Sequence, residues 1–294
     1  MLVGDSWAQC DRLLAASVPS GDACVEEPHD HMVPAGSIVS KQPPALSTGL
    51  GCSVDGLLGG GLHSGDLVEV FGPPGVGKTQ LALSVAAHCA AIGVPTIYMS
   101  AKDGLTDLAF RLCMILSTRG LSPETALRKV HLVYAADFPA FAKLLTSCAA
   151  GELLKGNADA DTPPLLIIDG ISLLLAPFTT ARGWGHRWRL AWTWRTLRQL
   201  ATKLHIRILM LSHTVGTPQS GGVAGMQPAL GQVWSTAAST RLILNVAKDA
   251  GTAGDCGQIL ELTTGKSVNG PVGTSARLVL NDRGLCRHDS SNRI

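Results

Sequence analysis

The chain has few charged and few aromatic residues for its length. Of 294 residues, 16% are charged and 4% are aromatic, with 2 Tyr and 5 Phe. The formal net charge is only +2, so any contact with nucleic acid must come from a local basic patch rather than from overall charge. Hydrophobic residues make up 46% of the sequence, which indicates a globular protein with a substantial core and excludes a largely disordered chain.

The sequence also lacks the patterns of secreted, membrane and zinc-binding proteins. No run approaches the ~18 consecutive apolar residues that a spanning helix needs. The first residues, MLVGDSWAQCDRLLAAS, have no basic segment followed by an apolar one, as a signal peptide would. The 8 cysteines form no C-x-x-C pair and no zinc-type cluster with histidine. We therefore expect reduced thiols in an intracellular protein without a membrane-spanning helix.

The composition divides the chain into three parts. Residues 1–45 contain recurring Pro, Gly, Ser and charged residues without the period of a helix or a strand, so we predict a flexible or weakly structured segment. Residues 46–287 alternate apolar runs of strand length with helical patterns, which predicts one α/β core. Residues 288–294 are predicted to be a short tail.

The apolar runs predict a mainly parallel central sheet with helices on both faces. The first five runs are separated by helix-length segments, as in parallel sheets with crossover helices. The last three follow one another closely, with glycine-rich turns between them, which favours antiparallel strands at the C-terminal edge. The predicted strands are 67–72, 96–100, 130–135, 165–169, 206–212, 240–246, 259–264 and 276–281.

The strongest motif is GPPGVGKT at positions 72–79. Its glycines let backbone N–H groups face a phosphate, and the helix that follows adds its positive N-terminal end. An apolar strand precedes the motif and a helical pattern follows it, which is the context it requires. We predict that Lys78 contacts the β- and γ-phosphates of ATP and that Thr79 places its hydroxyl on Mg²⁺. The predicted ATP-binding residues are Gly72, Pro73, Pro74, Gly75, Val76, Gly77, Lys78, Thr79 and Gln80.

Polar residues end two further predicted strands. Asp169 ends LLIID, and a carboxylate beside the phosphate loop can hold Mg²⁺ directly or through water, although strand-end aspartates also form simple turns. Ser212 and His213 end the next strand, where they would lie near the γ-phosphate. A plain turn is the alternative interpretation of this pair.

A segment rich in tryptophan and arginine covers residues 179–198 and holds four of the 6 tryptophans. Aromatic faces stack on unpaired bases and guanidinium groups bind phosphates, so this composition suits single-stranded DNA. The alternative is a helix with core or interface tryptophans, because one apolar stripe runs along 190–204. We predict DNA contacts from the glycine-rich loop before that helix, through Arg182, Trp184, Arg187 and Arg189. A second glycine-rich segment, 215–229, could close over a DNA strand or be a disordered connection.

These pieces resemble the ATPase core of the RecA-like recombinase superfamily. The run LSTGLGCSVDGLLGGGLHSGDLVEVFG is similar to the entry of the eukaryotic strand-exchange recombinases and their paralogues. The run QPALGQVWSTAASTRLIL, at 227–244, is most similar to the D-type paralogue branch. The resemblance covers about residues 46–287 and predicts a RecA-like P-loop NTPase fold.

The resemblance implies a role in homologous recombination and double-strand-break repair in the nucleus. It implies binding of single-stranded DNA and assembly with other recombinase paralogues and with the recombinase itself. Lys78 and Thr79 match the nucleotide-binding positions of the family, and Asp169 matches the carboxylate on the metal side. Residues 178–189 and 214–229 match its two DNA-facing loops.

One position departs from the pattern of the active recombinases. They place a water-activating Glu after the second strand, but this chain reads IYMSAKDG, with Lys102 at that position and Asp103 next to it. Since a lysine cannot activate water as a carboxylate does, we expect ATP binding with slow hydrolysis. Asp103 and His213 are the candidate catalytic residues beside Lys78.

Two functions follow from these patterns, and a third, a P-loop kinase, lacks support. The leading one is an ATP-binding DNA-repair protein with weak DNA-dependent ATPase activity. The second is a non-catalytic adaptor locked by ATP, whose Trp/Arg segment binds a protein, because Trp and Arg dominate interface hot spots. A P-loop kinase would need a lid and a base for an acceptor substrate, for which the sequence offers no candidate.

Overall fold

A computed structural model describes residues 43–151, 162–180, 184–215, 227–230, 234, 236–247 and 257–287. These residues belong to one compact unit, Pro43–Ile294. The predicted flexible segment therefore lies outside the described residues except for 43–45, and the predicted tail lies wholly outside them. No described helix is long and apolar enough to cross a bilayer.

The described strands form one sheet, with a short strand paired to its centre. The strands are β1 Leu67–Gly72, β2 Thr96–Ser100, β3 Val130–Tyr134, β4 Leu165–Asp169, β5 Arg207–Val215, β6 Gln227–Pro228, β7 Thr240–Val246, β8 Gln258–Lys266, β9 Ser275–Asn281 and β10 Gly284–Arg287. Their order is β10-β9-β8-β7-β1-β5-β4-β2-β3, and β6 pairs with β5. The predicted mainly parallel sheet with antiparallel C-terminal strands is confirmed.

All eight predicted strands are present, with bounds within three residues of the prediction. Strand β7, the first of the three C-terminal runs, differs from the prediction that these runs join the sheet as antiparallel strands. Strand β7 pairs in parallel with β1, and only β8, β9 and β10 continue antiparallel from it. The parallel direction arises because the chain returns to the start of β1 before β7 begins: the Ser239 backbone N–H donates to the Leu67 carbonyl.

Helices cover the sheet. They are α1 Cys52–Leu57, α2 Lys78–Ala91, α3 Leu105–Thr118, α4 Pro123–Leu127, α5 Phe138–Ala149, α6 Ile171–Leu175, α7 Pro177–Thr180 and α8 Trp184–Lys203. The central strands β1, β2 and β4 are buried at every position, as expected for parallel strands with both faces covered. Strands β8 and β9 instead alternate buried with exposed or half-buried residues over much of their length.

Helix α2 is packed closely against the sheet and its neighbouring helices. Ten of its 14 residues are buried, and many are alanines, which combine high helix propensity with a small side chain that allows close packing on the sheet. The helix begins at Lys78, directly after Gly77 in the left-handed region (φ 99°). A long and largely buried helix therefore starts at the phosphate-loop motif.

Helix α8 carries the predicted apolar stripe, with two differences. Leu190, Leu197 and Ala201 are buried, but Leu204 is 40% exposed. The helix ends at Lys203, and His205 turns the chain with a positive φ of 55°, which takes Leu204 off the stripe. The helix also begins at Trp184, earlier than predicted.

Candidate nucleotide-binding site

The C-terminal ends of β1, β4 and β5 bring the predicted site residues together. Strand β5 lies between β1 and β4, with Gly72 in register with His213 and Asp169 in register with Leu211. Ligands of open parallel sheets bind in the crevice outside these strand ends. The phosphate-loop motif, Asp169 and His213 therefore share one edge of the sheet.

The loop backbone has the conformation that the motif requires. Gly75 and Gly77 have positive φ angles of 77° and 99°, which glycine adopts without the steric cost that other residues carry. At Gly72, an added Cβ would overlap the Leu244 carbonyl of β7, so the loop leaves the sheet at a point where only glycine fits. The Lys78 ammonium donates to the carbonyl oxygens of Gly72 (2.8 Å) and Pro73 (2.7 Å).

Burial and neighbouring charges affect the pKa of Lys78. Lys78 is buried, and burial lowers the pKa of its ammonium to about 8, with a further lowering from the positive Lys102 and an opposing effect of Asp169. A cation held out of water beside loop N–H groups interacts strongly with an anion. Such a position suits the binding of a phosphate.

Asp169 receives hydrogen bonds on both carboxylate oxygens. Its Oδ2 accepts from the Thr79 hydroxyl (2.8 Å) and from the Tyr98 hydroxyl (3.0 Å). Its Oδ1 lies 3.5 Å from the Lys102 ammonium. Burial first, and then the charge of Asp169, raise the pKa of Tyr98 well above its usual value, so Tyr98 remains a neutral donor.

These donor groups fit Mg²⁺ together with a nucleotide. A hydroxyl and a carboxylate are hard oxygen ligands, and Mg²⁺ commonly uses one or two such protein groups plus phosphates and water. Among the described residues there is no cluster of three or more His, Cys, Asp or Glu that could hold a metal ion. Thr79 and Asp169 would thus hold the ion with phosphate oxygens completing its coordination.

His213 and Ser212 have different surroundings. The His213 backbone N–H donates to the Ser172 hydroxyl (3.0 Å), and burial lowers the pKa of the imidazole, with additional lowering from Lys78 and Lys102. His213 therefore faces the charged groups of the site in its neutral form. The Ser212 hydroxyl instead donates to the buried Glu69 (2.7 Å) and turns into the sheet, away from the predicted γ-phosphate position.

Asp103 and Lys102 differ in the direction they face. The Asp103 side chain is exposed and accepts from the Gly104 backbone N–H (2.8 Å), at the start of α3. Lys102 reaches the carboxylate of Asp169. Sequence reasoning identified Lys102 as a substitution at a catalytic position but missed this contact and the role of Tyr98, because both depend on the pairing of β2 with β4.

The last predicted loop residue, Gln80, is held by a residue that sequence reasoning missed. The Arg111 guanidinium of α3 donates to the Gln80 side-chain oxygen (2.9 Å) and to the backbone carbonyls of Asn281 and Asp282 in the β9–β10 turn. Arg111 carries no sequence signal that would reveal this, since its partners lie 31 to 171 residues away. Its contacts fix the first turn of α2 against the edge hairpin.

The Trp/Arg segment is largely helical where it is described. Arg182 and the side chains of Trp184 and Arg187 lie outside the described residues. The prediction that Arg189 belongs to a loop is wrong, because α8 extends back to Trp184. The Arg189 guanidinium is buried, 5.0 Å from the ring centre of Phe178 and 5.1 Å from that of Trp188. Cation–π contacts of this kind are structural, so this conformation does not present Arg189 to DNA. Most of the second glycine-rich segment lies outside the described residues as well.

The family and structure comparisons agree with this fold. The sequence model of the Rad51 family matches residues 44–256. The DNA repair protein RAD51 homolog 4 of Bos taurus is 32% identical over 216 residues, which is 71% of this chain and 64% of that protein, and the mouse protein of the same name is 31% identical over 78% of this chain and 68% of its own length. This chain thus aligns with about two thirds of the length of these relatives.

RadB proteins are also similar to this chain. The DNA repair and recombination protein RadB of Halobacterium salinarum is 34% identical over 128 residues, 43% of this chain and 49% of that protein. A crystal structure of the RadB recombinase superposes with a TM-score of 0.62 at 24% identity and covers 81% of this chain and 97% of the RadB chain. At this identity the structural likeness establishes the fold.

Proposed function

The chain belongs to the Rad51 family, and from this premise we propose that it binds ATP and Mg²⁺ as a recombinase paralogue in DNA repair. We place it in homologous recombination and double-strand-break repair in the nucleus, with single-stranded DNA, other recombinase paralogues and the recombinase itself as partners. Residues 46–287 form its RecA-like ATPase core in this proposal. The observation that supports it most is the meeting of Lys78, Thr79 and Asp169 at one sheet edge.

Each loop residue has a defined part in binding. The N–H groups at the start of α2 and the Lys78 ammonium bind phosphate oxygens, because they are the donors that the phosphate-loop motif supplies. Thr79 and Asp169 would hold the metal ion. The Thr79 hydroxyl already donates to Asp169 Oδ2 at 2.8 Å, so the two oxygen ligands lie side by side. When bound, Mg²⁺ neutralises phosphate charge. The remaining loop residues, from Gly72 to Gln80, shape the backbone around the phosphates.

Replacement of Lys78 by alanine tests nucleotide binding. Truncation of one partner of a desolvated, hydrogen-bonded charge pair costs about 2–5 kcal/mol, and we expect ATP affinity to fall at least ~30-fold, the lower end of that range. The measurement is isothermal titration with ATP in Mg²⁺ buffer. Lys143→Met is a suitable control, since it removes an exposed ammonium on α5, a helix that carries none of the predicted site residues. Equal affinities of wild type and Lys78→Ala would contradict nucleotide binding at this loop.

We further propose that hydrolysis is weak. A water-activating base contributes about 10²–10⁴ to such a reaction, and the position that carries it in active recombinases is Lys102. Asp103, which is exposed and bonded to Gly104, is displaced by one residue from that position, and small displacements of catalytic groups are costly. His213 is the other candidate base.

The adaptor alternative also gains support from Lys102. Without the water-activating carboxylate, ATP would bind without rapid hydrolysis, as a subunit locked by ATP requires. In that case the Trp/Arg segment contacts a protein. Binding to phosphates releases counterions and falls steeply with salt, whereas a hot-spot protein contact does not.

Arginines before and within the start of α8 allow a test of DNA binding. Each single-strand phosphate contact contributes about −0.7 to the slope of log affinity against log salt. The double variant Arg182→Ala/Arg187→Ala is therefore expected to reduce the slope by about 1.4. Fluorescence anisotropy with an oligonucleotide over a salt series measures it. Arg128→Ala/Arg283→Ala, at two exposed positions, is the charge-matched control, and an equal slope change in both variants would remove these arginines from the proposed DNA contact.

A further inference from the structure

Lys102 places a positive charge against the carboxylate on the metal side of the site. Its ammonium lies 3.5 Å from Asp169 Oδ1, and the two side chains are 45% and 3% exposed. The lysine end of the pair is accessible to solvent and the aspartate end is buried. The contact therefore brings a positive charge to a carboxylate that is held out of water.

The backbone holds Lys102 in this position. The Ser100 hydroxyl donates to the Lys102 carbonyl (2.8 Å) and accepts from its N–H (3.1 Å). The N–H of the intervening Ala101 donates to the Asp169 carbonyl (2.9 Å). These hydrogen bonds hold the backbone of residue 102 beside the end of β4. The Lys102 side chain therefore extends to Asp169 from a fixed backbone position.

The charged side chains near the Asp169 carboxylate are positive, whereas the carboxylate of Asp103 is exposed and bonded to the Gly104 N–H. The carboxylate of Asp169 faces two ammonium groups, those of Lys78 and Lys102, and two neutral hydroxyls, those of Thr79 and Tyr98. An ammonium 3.5 Å from the carboxylate offsets the negative charge that would attract a divalent cation. The same ammonium adds positive charge beside the phosphate loop, which favours a polyphosphate without any metal.

From this geometry we infer that Lys102 is a built-in counter-ion of the site, which takes over part of the charge neutralisation that Mg²⁺ supplies and makes triphosphate binding weakly dependent on divalent cations. The inference rests on the proposed binding of ATP at this loop. A tethered ammonium needs no recruitment from solution, so the nucleotide stays bound when the free metal concentration falls. Lys102 is a positioning and specificity residue for the nucleotide, and its effect is on binding.

Nucleotide affinity with and without metal tests this role. The dissociation constant of ATP is measured by isothermal titration in Mg²⁺ buffer and in EDTA, for wild type, Lys102→Met, Lys102→Arg and the control Lys143→Met. We expect removal of Mg²⁺ to weaken binding about 3-fold or less for wild type and about tenfold or more for Lys102→Met, since one adjacent charge has an effect of that size at a half-exposed site. Lys102→Arg should behave as wild type because it keeps the charge, and Lys143→Met should do so because it leaves the site intact.

The outcomes are distinct. Equal metal dependence of wild type and Lys102→Met would overturn the inference, as would a change in Lys143→Met equal to that in Lys102→Met. Failure of wild type to bind ATP even with Mg²⁺ would overturn the proposed function, and this inference with it. Binding by wild type that Lys78→Ala abolishes, together with a metal dependence that Lys102 does not affect, would leave the proposed function standing while the counter-ion role fails.

Discussion

Replacement of Arg241 by methionine is expected to lower the free energy of unfolding by about 3–5 kcal/mol, because it leaves a buried carboxylate without its counter-charge. Glu69 of β1 is fully buried, and its Oε2 lies 2.8 Å from Arg241 Nε on the neighbouring β7, at a paired position of the two strands. An uncompensated buried charge is among the few causes of single-substitution effects of this size.

The pair is part of a larger buried network. Glu69 Oε1 accepts from the Ser212 hydroxyl of β5, and a second nitrogen of Arg241 donates to the Trp234 carbonyl (2.8 Å). The network therefore joins three strands, β1, β5 and β7, directly below the loop and the ends of the strands that carry the site. Loss of Arg241 disturbs all three at once.

Chemical denaturation followed by circular dichroism measures the effect. The double variant Glu69→Gln/Arg241→Met carries no buried charge, so it is expected to lose only about 1–2 kcal/mol, the cost of imperfectly satisfied polar groups. Arg128→Met, at an exposed position on the edge of α4, controls for loss of a positive charge. A double variant less stable than Arg241→Met would show that the ion pair is not the reason for the loss.

The variant Lys102→Glu is expected to hydrolyse ATP about 10² times faster than wild type in single-turnover reactions with single-stranded DNA, the lower end of the range for a general base. The reason is the turn after β2, in which the Ser100 hydroxyl bonds to the backbone N–H and carbonyl of residue 102 and so holds its position without help from the side chain. A carboxylate there stands at the sequence position that carries the water-activating Glu in the active recombinases. One substitution is not expected to give full activity, since the neighbouring side chains do not position a carboxylate at residue 102 for catalysis.

Lys102→Met serves as the matched control, because it removes the ammonium without adding a carboxylate. If Lys102→Met gains as much activity as Lys102→Glu, the ammonium inhibits hydrolysis and the missing carboxylate is not the cause. Wild type should turn over slowly, only a little faster than Lys78→Ala. Clear stimulation of wild type by DNA, abolished in Asp103→Ala, would instead identify Asp103 as the catalytic carboxylate.

The sequence by itself determined the strands, the position of the phosphate-loop motif and the strand-end location of Asp169. These features are local: a strand appears as an apolar run, and the motif has a fixed spacing between a strand and a helix. The parallel strand ends then place Asp169 beside the loop without further information. Helix α8 was also predictable from its stripe, although its first residue and its last apolar position were not.

Only the tertiary structure decided which side chains meet across the sheet. Glu69 lies within a run that otherwise reads as apolar, and its partner Arg241 is 172 residues away. The contact of Lys102 with Asp169 depends on the pairing of β2 with β4, and the burial of Arg189 depends on α5 and α7 supplying Phe138 and Phe178. The parallel direction of β7 likewise depends on the path by which the chain returns to the start of β1. Periodicity specifies which face of an element is buried, but strand order and chain path specify its neighbours, and these are properties of the folded molecule.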